Sequence, residues 1–388
     1  MSEHLKMVIV DDEPRVTQSL EREIALEFGT ELFAITCFNS SIASLPYITY
    51  HQDNIFLVIS DLRMPEMNGS DLLERIRADC PDIQTILLTA YTDIDNIQRA
   101  VASSIQSLLF KPWTRESIVT EVDKALKIWK LNRENKALSK RISDMLRDTG
   151  EFQQKLFAQT LPVSAQVRFS AAFKPYEKYH CGGDFYAMFD AGAGKHMILL
   201  GDVTGHGPKS AMIAGILKTT LQWIIDADQT LLAAPDRLLK KINDHFCRLF
   251  SSSPETLIAL CAVFVDTAGR FMGLATAGLP PVIHVRGGKP ELLRTPNMIL
   301  GASAEASFYK MERFLLPGDH IVLFTDGLVE SVPSFFSLPP EAVSAAFTDQ
   351  DDYTAEAVAE AFRQRLPGQV FTDDVTVLSL EILPESGK

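Results

Sequence analysis

The stretch that decides the reading is "LGDVTGHGPKS", Leu200–Ser210. The apolar run Met197–Leu200 leads into it, and a helix-like pattern, "AMIAGILKTTLQWII" (Ala211–Ile225), leads away. A Gly-rich elbow with Asp202 at its entrance could cradle a phosphate, pair a Thr nucleophile with a His base, or hold a metal. A P-loop requires G-x-x-x-x-G-K-[ST]; here His206 stands five residues after Gly201, and Pro208 separates Gly207 from Lys209 and Ser210. The dinucleotide pattern G-x-G-x-x-G fails too, because Gly205-x-Gly207 runs on into Pro-Lys-Ser. Thr204 and His206, two residues apart, have no oxyanion-hole or triad signature beside them.

The metal reading draws support from elsewhere in the chain. Asp184 ("CGGDFY"), Asp202, Asp326 ("LFTDGLVE") and Asp373-Asp374 ("TDDVTV") each border an apolar run, so the backbone delivers them to a sheet edge. Hard oxygen donors without a His or Cys cluster select Mg²⁺ or Mn²⁺ over Zn²⁺. Several carboxylates around two ions about 4 Å apart make a two-metal hydrolase. The glycines then let the backbone come close, so that a main-chain carbonyl beside Asp202 can also ligate. Around these acids the pattern is β-rich. "VRFSAAF" reads as a strand, and 182–203 and 256–278 read as hairpins. Lys209–Ala227 and Ala234–Leu249 read as helices, and "PPVIHVRGG", "HIVLFTDGLVE" and "DDVTVLSLEIL" as further strands. Strands, then helices, then strands predict an α+β sandwich flanked by helices.

The set "CGGDFY", "GDVTGHG", "TAGLPP", "LFTDGLVE" and "DDVTVLSL", over about residues 150–383, resembles the metal-dependent protein phosphatases (protein phosphatase 2C-like) of the bacterial sporulation stage II E and sigma-regulation subfamily. The resemblance implies phosphoserine or phosphothreonine hydrolysis with two or three Mn²⁺ or Mg²⁺ ions. Asp202 would bridge them. The Val203 carbonyl, Asp326 and Asp373 would be further ligands, with Asp184 close by. Gly205, His206 and Asp374 stand beside these as supporting or catalytic candidates. His206 could orient water or protonate the leaving alkoxide, or it could simply pack its loop. Two departures stand out: Leu279 replaces a His before the Pro pair, and Ala187 replaces an Asp after "GGDFY". The segment Ser331–Gln369 also lacks the family's Phe-Gly element.

The first 115 residues read differently. Apolar runs at Met7–Val10, Phe33–Phe38, Phe56–Ser60, Thr85–Ala90 and Ser107–Phe110 alternate with helical patterns. That order predicts a doubly wound five-stranded parallel sheet with its ligand site at the carboxyl ends of the strands. Those ends carry Asp11-Asp12, Asp61, Thr89 and Lys111-Pro112. Three carboxylates on one edge suit Mg²⁺, and Thr89 and Lys111 could contact an anion added to one of them. "VDDE", "SDLRMPEMNG", "LLTA" and "LLFKP" resemble the receiver domain of two-component response regulators over about residues 5–125. The resemblance implies phosphoryl transfer from a histidine kinase to Asp61. It also implies Mg²⁺ on Asp11, Asp12, Asp61 and the Arg63 carbonyl, phosphoryl contacts from Thr89 and Lys111, and a cis Lys111-Pro112 bond. Leu108 stands where the family has an aromatic switch residue, and Ser104-Ile105 where it has Gly-Ala.

From Leu131 the positions Leu131, Asn135, Leu138, Ile142, Met145, Thr149, Phe152 and Leu156 step by four and three. They predict an a/d seam with a polar Asn, a pattern that favours a parallel homodimer through a helical coiled coil. Upstream, Ile118, Val122, Ala125 and Ile128 are out of register with it, which predicts a slip near residues 125–131. The expected organisation is a receiver over 1–125, a helical linker over 126–160 and a phosphatase domain over 161–388.

Composition sets the outer limits. The chain of 388 residues has 37 Lys and Arg against 50 Asp and Glu, a formal charge of −13. No basic cluster or helix-turn-helix pattern is present, which disfavours a nucleic-acid partner and a DNA-binding output. The five scattered cysteines, Cys37, Cys80, Cys181, Cys247 and Cys261, read as reduced thiols. No apolar run approaches the length of a membrane span. The expectation is a cytoplasmic response regulator with a phosphatase output acting on a phosphoprotein such as an anti-sigma antagonist. The competing expectation is a catalytically inactive adaptor that binds a sigma-regulatory partner. The metal acids that such an adaptor would have lost are all present.

Overall fold

The computed structural model describes residues 5–29, 31–90, 107–158, 161–162, 164–176, 178–251, 255–330, 347–348, 350 and 352–384. The Ser104-Ile105 position and residues 331–346 of the segment that lacks Phe-Gly lie outside these. The chain divides into two compact units, Met1–Arg141 and Ile142–Lys388.

In the first unit β1 (Leu5–Val10), α1 (Pro14–Phe28), β2 (Phe33–Phe38), α2 (Ser41–Tyr50), β3 (Ile55–Asp61), α3 (Gly69–Asp79), β4 (Gln84–Ala90) and β5 (Ser107–Lys111) follow in order. The sheet order is β2-β1-β3-β4-β5, and every pair is parallel. All seven residues of β3 are buried, as expected of a strand covered on both faces. Pro14 starts α1 at the position where a missing N–H costs nothing. Helix α2 was not anticipated, because its run is apolar without helical period and carries Pro46. Ser40 marks its start by accepting a hydrogen bond from the Ala43 N–H at 3.3 Å.

Helix α4 runs unbroken from Arg115 to Phe157, 43 residues. Ile118, Val122, Ala125, Leu126 and Trp129 are buried on it, whereas Ile128 is 39% exposed. The predicted slip is therefore a change of face: Trp129 closes the buried stripe, and Leu131, two residues and about 200° further round, opens the seam. The seam residues Leu131, Leu138, Ile142, Met145, Phe152 and Leu156 are all exposed. The last turns bury a different stripe, Gly150, Gln153 and Phe157.

The second unit stacks two antiparallel five-stranded sheets. One has the order β13-β10-β9-β8-β7: β7 (Phe185–Gly192), β8 (Lys195–Val203), β9 (Ile258–Asp266), β10 (Phe271–Ala277) and β13 (Met311–Phe314). The other is β12-β11-β14-β15-β6: β6 (Val167–Lys174), β11 (Val282–Arg286), β12 (Lys289–Leu293), β14 (His320–Phe324) and β15 (Val375–Ile382). Ile198, Leu200 and Val263 of the first sheet pack against Leu323, Leu378 and Leu380 of the second. Helices α5 (Pro208–Ala227) and α6 (Pro235–Leu249) cover the first sheet's outer face through Leu217, Leu221, Leu238, Ile242 and Phe246. Burying each such side chain contributes about 1.5–3 kcal/mol. The short α7 (Gly327–Glu330) follows β14, and α8 (Ala355–Arg363) covers the second sheet through Val358, Ala359 and Phe362. The predicted sandwich and both its hairpins are present. Strands β12 and β13 and helices α7 and α8 were not anticipated: they are short or break the alternation.

Two motif departures fall in the core. Leu279 packs between the sheets, and Ala187, paired with Leu199, lies under α5 and α6, where a carboxylate would be buried. Among the described residues no helix is long and apolar enough to cross a membrane.

Candidate active sites

At the carboxyl edge of the parallel sheet, strand register brings the first constellation together. Asp61 lies opposite Leu88, Thr89 opposite Phe110, and Lys111 opposite Ala90. Asp11 is fully buried, Asp61 7% exposed, and Asp12 lies at the surface. Lys111 Nζ donates to Asp11 Oδ2 at 2.7 Å and also pairs with Asp61 Oδ1. The Arg63 N–H donates to Asp61 Oδ2 at 3.0 Å, and the Lys111-Pro112 bond is cis. Burial raises the Asp61 carboxyl above its ordinary value, while Lys111 opposes that rise. Thr89 is buried at the end of β4, and Leu108 pairs with Leu87 beside the helix-covered core.

The second constellation is assembled from both sheets of the second unit. Asp202 is the penultimate residue of β8, and Asp184 directly precedes β7. Asp326 follows β14, and Asp373 and Asp374 directly precede β15. The acids sense one another. Burial first, then repulsion from Asp326, Asp373 and Asp374, pushes Asp202 up to about 8. Asp184 is raised by burial, then by Asp202 and Asp374. Asp326 is raised by burial, then by Asp373.

The loops explain their glycines. A Cβ on Gly183 would stand 2.3 Å from the Val203 carbonyl oxygen and 2.7 Å from Asp202 Oδ1, so only glycine allows this approach. Gly205 and Gly207 turn the elbow at φ +96° and +78°, the left-handed region. Asp374 is 5% exposed and fastens the neighbouring loop, Oδ1 accepting the Tyr176 N–H at 2.8 Å; the Gly183 N–H also bonds to this carboxylate. Asp373 is half-buried. His206 is exposed, and its ring stacks on Tyr179 with centroids 4.5 Å apart and planes 5° from parallel.

The chemistry of this donor set fits a multivalent cation: the buried acids Asp184, Asp202 and Asp326 are raised by one another or by their acidic neighbours, and among the described residues no Lys or Arg balances them. Among the described residues, however, no three His, Cys, Asp or Glu side chains are close enough to hold one ion in common.

One contact was not anticipated. Gln153, on the buried stripe of α4 and 4% exposed, donates Nε2–H to the Gly182 carbonyl at 2.7 Å and accepts the Gly182 N–H on Oε1 at 3.1 Å. Gly150 abuts the His180 carbonyl so closely that a Cβ would stand 2.1 Å from it. The end of the linker helix thus holds the loop that carries Asp184. Nothing in the sequence marked this contact, since Gln153 is one of several polar residues in a helical run.

Residues 7–123 match the response regulator receiver domain family, and residues 192–383 match the stage II sporulation protein E (SpoIIE) family. Transcriptional regulatory protein GlrR of Escherichia coli (strain K12) is 30% identical over 120 residues, 31% of this chain and 26% of the relative. Regulatory protein AtoC of the same organism is 28% identical over 139 residues, 36% of this chain and 29% of the relative. The chain thus spans about a quarter of the length of these curated relatives. The solved SiaA-PP2C domain of Pseudomonas aeruginosa has the same fold. It is 23% identical, with a TM-score of 0.54 over 63% of this chain and 99% of that one. Residues 7–123 thus form a response-regulator receiver domain, and the SpoIIE-type domain that follows has the PP2C fold.

Proposed function

We propose that this chain is a response regulator whose output is metal-dependent hydrolysis of phosphoserine or phosphothreonine in a regulatory phosphoprotein, under the control of phosphorylation at Asp61. The observation that carries the reading is that acids from both sheets come within reach of one another: Asp184, Asp202 and Asp326 are each raised by burial and then by neighbouring acids, Asp373 among these, and no described Lys or Arg opposes the rise. Asp202, Asp326, Asp373 and the Val203 carbonyl would hold two or three Mn²⁺ or Mg²⁺ ions, with Asp184 beside them. Bound there, such ions supply Lewis-acid polarisation and a hydroxide nucleophile near neutral pH.

The chain's own residues do the rest. Gly183 lets the Asp184 loop lie against the Val203 carbonyl. Asp374 keeps that loop in place. His206, braced by Tyr179, stands at the open rim, where it can contact the leaving oxygen of a side-chain phosphate. In the receiver, Asp11, Asp12, Asp61 and the Arg63 carbonyl would hold Mg²⁺, a histidine kinase would supply the phosphoryl group, and Thr89 and Lys111 would contact it. Helix α4 carries the signal onward, since it starts three residues after Pro112 and its Gln153 grips Gly182. Its exposed seam fits a parallel homodimer. An anti-sigma antagonist is the substrate that the family resemblance favours.

Hydrolysis of p-nitrophenyl phosphate and of a phosphoserine peptide by the full chain with Mn²⁺ tests the reading. Asp202→Ala should abolish turnover while the far-ultraviolet circular dichroism stays unchanged. Full activity in that variant would remove Asp202 from the chemistry. Absence of Mn²⁺-dependent turnover in the wild type would favour an inactive adaptor.

A further inference from the structure

Two threonines have a place in this site that no motif assigns. Thr325 follows β14 and precedes Asp326; Thr376 is the second residue of β15, two after Asp374. Both are fully buried. Their hydroxyls converge on one atom: Thr325 Oγ1 and Thr376 Oγ1 each donate to Asp184 Oδ2 at 2.7 Å. The pair is locked by its own backbone. The Thr325 N–H donates to the Thr376 carbonyl at 3.0 Å, and the Thr376 N–H donates to Thr325 Oγ1 at 2.9 Å. Thr325 Oγ1 thus accepts the Thr376 N–H on one lone pair and gives its single hydrogen to Asp184.

Asp184 belongs to the β7 side of the sandwich, whereas both threonines belong to the β14–β15 side. The hydroxyl pair is thus a polar bond between the two sheets at the edge where the acids gather. A buried carboxylate without such donors would turn away or stay neutral. With one oxygen held by two hydroxyls, its rotation is fixed close to Asp202, whose charge it feels.

We infer that Thr325 and Thr376 are positioning residues that set Asp184, and with it the register of the two sheets, for divalent-cation binding. This rests on the phosphatase reading above. The group that acts is the hydroxyl, so serine at either position preserves the function and valine, of the same shape, removes it.

The test is calorimetric titration of Mn²⁺ into the full chain, for the wild type, Thr325→Val, Thr376→Val, Thr325→Ser and Thr376→Ser. Melting in EDTA monitors the fold of each. Each valine variant should bind Mn²⁺ at least about tenfold more weakly, the scale of effect found when groups supporting a metal ligand are removed. Each serine variant should stay within about threefold of wild type, half a decade or less on that same scale. Valine variants that fold and bind Mn²⁺ like the wild type overturn the inference. Serine variants that lose binding also overturn it, even if the valine variants fail to fold, because the methyl and not the hydroxyl would then matter. A wild type that neither binds Mn²⁺ nor hydrolyses p-nitrophenyl phosphate would instead fail the phosphatase reading itself, which separates the two.

Discussion

Asp202 concentrates the electrostatics of the second unit. Its carboxyl stands at about 8, against 3.8 for an unperturbed Asp, because it is buried among other acids. Between about pH 4 and pH 8 the folded metal-free chain keeps a proton that the unfolded chain has released. Stability in EDTA should therefore fall as pH rises through that window and level off above it. Melting temperatures measured across the window should show this decline, and Asp202→Asn should flatten part of it. An unchanged slope in the variant would mean that Asp202 is not the group responsible. Asp374 makes a different prediction. Its carboxylate accepts backbone N–H groups, a task that an amide oxygen can also perform. Asp374→Asn should keep most of the Mn²⁺-dependent rate, whereas Asp373→Asn should lose it at least about tenfold. Equal losses in both would make Asp374 a ligand. The acids were legible in the sequence because each borders an apolar run. The threonines were not, because a hydroxyl beside an Asp carries no pattern until the two strands are paired. Gln153 was hidden for a similar reason: its partner, Gly182, lies 29 residues away.

At the scale of elements, strands with uniform apolar runs, such as β3 and β4, could be placed to within one residue at each end. Elements with weak period were lost: α2 with its internal proline, and the short α7. Helix α4 shows what a periodic reading resolves and what it does not. The steps of four and three identified a seam and the slip upstream of it, but not that Leu126 and Trp129, instead of Ile128, complete the buried stripe. Exposed Leu138, Met145 and Phe152 should be covered if the helix dimerises. A Leu138→Glu, Met145→Glu variant should then be monomeric by light scattering where the wild type is dimeric; a wild type that is monomeric at all concentrations would contradict the seam's role. Strand β8 carries a separate cost. His196 is 4% exposed, and among the described residues neither ring nitrogen has a hydrogen-bond partner, the Asp190 carboxylate standing 3.9 Å from Nδ1. Its imidazole is held below its ordinary value, chiefly by burial, so charging it at acid pH opposes folding. His196→Leu should raise stability by about 1–3 kcal/mol, read as an upward shift of the melting temperature that grows as pH falls.

Across the whole molecule, the proposed control of second-site hydrolysis by Asp61 runs through one helix. That helix starts three residues after Pro112 and ends beside the loop that carries Asp184. Phosphorylation adds charge at the receiver edge, and such a change acts by biasing an element with two arrangements. The most direct measurement is the rate of Mn²⁺-dependent phosphoserine-peptide hydrolysis by the full chain, with and without beryllofluoride, for the wild type and for Asp61→Asn. Beryllofluoride should change the rate of the wild type severalfold and leave Asp61→Asn unmoved. Identical rates in all four conditions would contradict this control.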